Sequence, residues 1–130
     1  MTGPAPHAEP RTILLVDDEP SVRSIIVKIL RRAKFTVLEA ESGAEAHRIV
    51  EGHSGKIDMV ITDLFMPGQQ GPEVVEALSA LRPGLKVLFI SGYADHDLVA
   101  RTGLDDGAHF LQKPFSGRQL LAAVGGVLEG

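Results

Sequence analysis

The chain contains no cysteine, which excludes disulfides and thiolate metal sites and fits a reducing compartment such as the cytoplasm. No apolar run approaches the roughly 20 residues that a membrane-spanning helix needs, so no membrane association is expected. The first ten residues lack both the basic and the apolar stretch of a secretory leader. Positive charge is not in excess: 13 basic residues face 17 acidic ones, for a net charge of −4. That balance argues against a broad nucleic-acid-binding face, and no direct nucleic-acid partner is expected. Five histidines (His7, His47, His53, His96 and His109) show no metal-ligand spacing and are read as incidental. Residues 2–10 hold three prolines and no large apolar side chain, so 1–10 read as a disordered lead-in or linker. Residues 11–130 read as one domain, long enough to bury a core without a covalent staple.

What is present is a regular alternation. Five short apolar runs, at 12–16, 35–38, 57–62, 87–90 and 108–111, read as strands, several continuous enough to be buried on both faces. Helical periodicity fills the gaps. Pro20 opens a first helix with Val22, Ile25, Ile26, Ile29 and Leu30 on its apolar side and Arg23, Lys28, Arg31 and Arg32 on a solvated one. A second helix covers 43–50. A third starts at Pro72 with Val74, Val75, Leu78 and Leu81 as its stripe, and a weak fourth lies at about 97–102. A last helix covers 120–128, where Gly125 and Gly126 each cost about 1 kcal/mol relative to alanine and predict early fraying. The order is an α/β fold, (βα)5, with a parallel sheet, right-handed crossovers and helices on both faces.

Such sheets bind ligands beyond the carboxyl ends of their strands. Asp17, Asp18, Asp63, Ser91 and Lys113 all fall just past a predicted strand end. The intervals between these groups fit two, one and one helical crossovers. Three carboxylates packed together would raise one another's pKa values unless a cation relieved them, so metal binding is the natural use of the cluster. Mg2+ takes oxygen ligands and keeps several waters. Asp17, Asp18 and Asp63 could ligate it, with the backbone carbonyl of Phe65 as a neutral fourth donor. Asp63 lies between the acidic pair and the Ser91/Lys113 side, and is the candidate nucleophile for an aspartyl phosphate. Lys113 and Ser91 would then meet the phosphoryl oxygens. Lys113-Pro114 is an X-Pro bond, where a cis peptide is accessible. Phe65 and Tyr93, each two residues past a site position, are expected to shield the acyl phosphate from water.

Val16-Asp17-Asp18-Glu19, Asp63-Leu64-Phe65-Met66-Pro67-Gly68, Ser91-Gly92-Tyr93 and Phe110-Leu111-Gln112-Lys113-Pro114-Phe115 together resemble the receiver domain of two-component response regulators, in order and in spacing. The resemblance covers about residues 11–128. It implies a flavodoxin-like three-layer sandwich with strand order 2-1-3-4-5. It also implies Mg2+-dependent phosphoryl transfer to Asp63 from a phosphohistidine on a histidine kinase or phosphotransfer protein. By the same resemblance, Ser91 moves toward the phosphoryl group and Phe110 turns inward behind it. This changes the partners of the face built from the fourth helix, fifth strand and fifth helix, through which a homodimer or a downstream protein could bind. Many relatives carry tyrosine where this chain has Phe110, which keeps the packing role without the hydroxyl.

Other readings differ in testable ways. With only Glu129 and Gly130 after the last predicted helix, output is expected through protein contacts rather than an attached effector. A receiver cut from a hybrid histidine kinase would suit the proline-rich start and the Phe110 motif. A pseudo-receiver, binding partners without phosphorylation, conflicts with the full residue set. An aspartyl phosphohydrolase resembles Asp-x-Asp after a strand, with the second Asp as general acid; here Phe65 holds that position and cannot transfer a proton.

Overall fold

A computed structural model describes residues 10–66, 69–92 and 109–129, with the backbone alone at 65, 66, 69 and 70. In chain order the elements are β1 (Thr12–Val16), α1 (Pro20–Arg32), β2 (Thr36–Ala40), α2 (Gly43–Gly52), β3 (Met59–Asp63), β4 (Phe65–Met66), β5 (Gln69–Gln70), α3 (Gly71–Leu81), β6 (Lys86–Ser91), β7 (Phe110–Gln112) and α4 (Gly117–Glu129). Five parallel strands form one sheet in the order β2-β1-β3-β6-β7. Counting only these five, the order is the expected 2-1-3-4-5. The two-residue strands β4 and β5, which periodicity cannot reveal at that length, form a separate antiparallel pair after β3. The helix expected at 97–102 lies outside the described residues.

The central strands are apolar along most of their length because both faces are covered. Ile13, Leu15, Ile61, Leu88 and Ile90 pack on one face against Ile26, Val27 and Leu30 of α1 and Leu120, Val124, Val127 and Leu128 of α4. Leu14, Val16 and Val60 pack on the other against Ala46 and Val50 of α2 and Val74 and Leu78 of α3. This is the three-layer arrangement, with the core divided by the sheet.

Several elements depart from their sequence pattern for identifiable reasons. Along α1, Val27 is buried and Ile25 is 59% exposed, since the arc through Ile26, Val27 and Leu30 faces the sheet. Arg23 belongs to the inner side as well, and not to the solvated one. β3 begins two residues later than expected; just ahead of it Asp58 is tied to the start of β1, its N–H donating to the Thr12 carbonyl at 2.8 Å and its carboxylate accepting the Thr12 N–H at 2.7 Å. α4 starts at Gly117, three residues early, behind a reciprocal cap. The Ser116 hydroxyl accepts the Gln119 N–H at 3.1 Å, and Gln119 Oε1 accepts the Ser116 N–H at 2.8 Å.

At its other end α4 runs through both glycines to Glu129 instead of breaking early. Burial of Val127 and Leu128 and a 2.8 Å bond from Lys86 Nζ to the Leu128 carbonyl hold the last turn. A Cβ at Gly125 or Gly126 would meet nothing within 4 Å. Gly125→Ala and Gly126→Ala are each expected to stabilise the protein by about 0.5–1 kcal/mol, read as a higher urea midpoint at unchanged slope.

Candidate functional site

The carboxyl end of the sheet carries the polar residues. Asp17 follows β1, and its N–H donates to the Ala40 carbonyl of β2 at 3.0 Å, which keeps the chain in sheet register for one more residue. Its Oδ1 accepts the Glu19 N–H at 2.9 Å. Asp63 is the last residue of β3, paired with Ile90, and Leu64 continues the ladder through a 2.8 Å bond to the Ile90 carbonyl. Ser91 ends β6 opposite Gln112, and its carbonyl accepts the Lys113 N–H at 2.7 Å. Asp63 and Ser91 thus sit within their strands' last position rather than beyond it, because the parallel pairing extends one residue past the apolar run. The Lys113–Pro114 peptide bond is cis.

These backbones bring together side chains from the ends of β1, β3 and β7, with β6 lying between the last two. One carboxylate oxygen each from Asp17, Asp18 and Asp63 lie within 4.8 Å of one another. Lys113 Nζ stands 3.4 Å from Asp63 Oδ1. Asp17 is 1% exposed and Asp63 7%, while Asp18 faces solvent. Burial, with the neighbouring Asp17 charge second, pushes the Asp63 carboxyl up to about 7, against the pull of Lys113. Burial also raises Asp17, partly offset by the Glu19 N–H and Lys113. Among the described residues, Asp17 Oδ2 is the buried side-chain oxygen left without a hydrogen bond. An unsatisfied oxygen within a set of three carboxylates, one of them open to solvent, is a donor set that fits a hard cation such as Mg2+.

Phe110 stacks on Phe89, its register partner on β6, with ring centroids 5.6 Å apart and an interplanar angle of 27°. The Phe65 side chain and Tyr93, expected as shields, lie outside the described residues. His47 pairs with Glu51 on α2 and His53 follows that helix; neither joins the acidic cluster.

Two residues that the sequence pattern did not single out also shape the site. Gly71 opens α3 with its Cα pressed against the end of β3, and its N–H donates to the Leu64 carbonyl at 2.7 Å. Arg23 reaches from α1 to the Asp17 carbonyl at 2.7 Å. A glycine preceding Pro72 was the available signal for the first. The second had none, because an arginine on an amphipathic helix reads as solvated.

Residues 13–125 match the model of the response regulator receiver domain. Over 118 residues the chain is 41% identical to the sensor kinase CckA of Brucella abortus, which covers 91% of this chain and 12% of that kinase. Over 111 residues it is 31% identical to the response regulator receiver protein CpdR of the same organism, covering 85% of this chain and 91% of CpdR. The crystal structure of the receiver domain from the hybrid histidine kinase CckA superposes with a TM-score of 0.74 at 35% identity, covering 90% of this chain and 98% of that one. The chain spans 12% to 52% of the length of CckA and two curated transcriptional regulators that it also matches.

Proposed function

The chain belongs to the response regulator receiver family, and from that premise we propose that it is a phosphoacceptor whose nucleophile is Asp63. A carboxylate oxygen of Asp63 bonds to phosphorus as the phosphorus–nitrogen bond of a donor phosphohistidine breaks, and the leaving imidazole keeps the electron pair and takes up a proton. The observation that carries this reading is one arrangement: a buried Asp63 carboxylate with an ammonium 3.4 Å away on one side and two further carboxylates on the other.

Each residue has a separate task in this reading. Asp17, Asp18 and Asp63, with the Phe65 carbonyl, would hold Mg2+, which when bound supplies positive charge to the phosphoryl oxygens. With that charge in place Asp63 is ionised at neutral pH and able to attack. Lys113 neutralises a second phosphoryl oxygen, and the Ser91 hydroxyl donates to a third. Movement of Ser91 and Phe110 then alters the face of the 97–102 segment, β7 and α4. Phe110 would have to leave its stack on Phe89 to do so. We read residues 11–130 as the domain and 1–10 as its lead-in, the partners as a histidine kinase or phosphotransfer protein and a downstream protein, and the setting as the cytoplasm. The likeness to a sensor kinase of which this chain matches 12% supports a second reading of origin, a receiver within a hybrid kinase, with the same chemistry at Asp63.

Beryllofluoride with Mg2+ tests the site and the switch together. Amide signals of Ser91, Phe110 and α4 are expected to shift only when both are added. A spectrum unchanged by the pair, or changed equally by beryllofluoride alone, contradicts the reading.

A further inference from the structure

Arg23 has the geometry of a structural tie rather than of a solvated cation. Its side chain is only 17% exposed, yet it lies on the first turns of a helix whose other basic residues face outward. A guanidinium that far from water needs partners. One is the Asp17 main-chain carbonyl, 2.7 Å from Nη1. The other is Glu39 on β2, with Oε1 3.5 Å from Nε. Glu39 is itself held from the far side by Arg31 Nη2 at 3.5 Å, and Arg31 also donates to the Val37 carbonyl at 3.3 Å. A continuous link therefore runs from the edge strand through Glu39 and Arg23 to the turn that carries both metal-facing aspartates.

Within the turn itself, the Glu19 N–H donates to Asp17 Oδ1 at 2.9 Å, a bond that ties the Asp17 side chain but leaves the Asp17 carbonyl to be held from outside. Glu19, at the start of α1, provides no side-chain cap, although the Glu19 carbonyl accepts the Arg23 N–H at 2.9 Å. Asp17 is anchored by its N–H to Ala40 on one side and by its carbonyl to Arg23 on the other. The second anchor fixes the peptide plane between Asp17 and Asp18, and with it the direction in which Asp18 leaves the backbone. We propose that Arg23 is a positioning residue for the cation site: through the Asp17 carbonyl and Glu39, it sets the mutual geometry of the Asp17 and Asp18 carboxylates. This rests on the Mg2+-site reading above.

Charge and position make opposite predictions, which makes the test sharp. Removing a cation near a cation site should, by charge alone, tighten Mg2+ binding. Losing a residue that orients metal ligands weakens it, by roughly 10- to 100-fold in comparable sites. The probe is Mg2+ itself, titrated at pH 8 while the backbone amide shifts of Asp18 and Glu19 are followed, with urea unfolding of the metal-free proteins alongside. Arg23→Gln is expected to weaken Mg2+ about tenfold. Lys28→Gln, which removes the same charge from an exposed position on α1 without touching Asp17 or Glu39, should bind Mg2+ as tightly as the parent or slightly more so. Arg23→Lys keeps the charge but not the forked donor set, and should show an intermediate loss; it also serves if Arg23→Gln does not fold. Equal or tighter Mg2+ binding by either Arg23 variant overturns the proposal. If the parent protein itself binds no Mg2+, the site reading fails first, and that outcome is seen before any variant is compared.

Discussion

Asp63→Asn is expected to stabilise the metal-free protein strongly at pH 8 and hardly at all near pH 4. The Asp63 carboxyl titrates at about 7 in the fold and near 3.8 when unfolded. Below pH 3.8 both states hold the proton, and the group costs nothing. As pH rises from about 4 to about 7 the unfolded chain gives up its proton first, so stability falls across that window. Above pH 7 the cost is complete and constant. A separation between 3.8 and about 7 corresponds to about 4 kcal/mol at its limit, and asparagine, which carries no charge, is free of it. Urea unfolding of the two proteins in chelator, from pH 4 to pH 8, should give curves that meet at the acid end and separate by about 2–4 kcal/mol at the alkaline end. Mg2+ acts in the opposite sense on the parent. It should stabilise Asp63 protein more at pH 8 than at pH 6, because protons compete for its ligands, and should do much less for the Asn variant. Parallel pH curves in chelator would mean that Asp63 is not held in a buried, crowded state.

Gly71→Ala is expected to damage both stability and the site. A Cβ there would overlap the Asp63 carbonyl oxygen and lie 3.1 Å from both the Leu64 Cα and the Leu64 carbonyl oxygen. All three are backbone atoms, so no side chain can swing aside. Either the end of β3 or the start of α3 must move, at a cost of about 1–3 kcal/mol or more. Asp63 is carried on that strand end, so its carboxylate shifts relative to Lys113 and the acidic pair. Misplacement of a reacting group by roughly 1 Å can lower a rate about 100-fold. The expected result is a urea midpoint below that of the parent and a phosphorylation rate reduced by one to two orders of magnitude. The same chemical change at Gly125 is expected to stabilise, because that position faces open space. A Gly71→Ala protein as stable and as reactive as the parent would show that the close approach at β3 is not structurally required.

The strands were legible where burial on both faces demands an unbroken apolar run, as at Thr12–Val16 and in the Leu88–Phe89–Ile90 stretch of β6. The placement of the candidate residues Asp17, Asp18, Asp63 and Lys113 at one edge of the sheet was legible for the complementary reason. A carboxylate that ends such a run marks the rim of the sheet, as Asp17 does after β1 and Asp63 at the end of β3. What the pattern could not show are features decided by hydrogen bonds. Parallel pairing carries β3 and β6 one residue further, to Asp63 and Ser91. The Ser116–Gln119 cap starts α4 three residues early. Periodicity placed Ile25 in the core and Arg23 in solvent, because it counts hydrophobicity and is blind to a guanidinium with two anionic or carbonyl partners. Gly71 was passed over for another reason: its role is the absence of an atom, and its place before Pro72 was the one cue.

Intact-protein mass after incubation with acetyl phosphate tests the central claim most directly. The parent protein should gain one phosphoryl group in the presence of Mg2+ and none in chelator, and Asp63→Ala should gain none in either. An adduct that forms without Mg2+, or that persists in Asp63→Ala, or no adduct in the parent under any condition, would contradict the assignment of Asp63 as the phosphoacceptor.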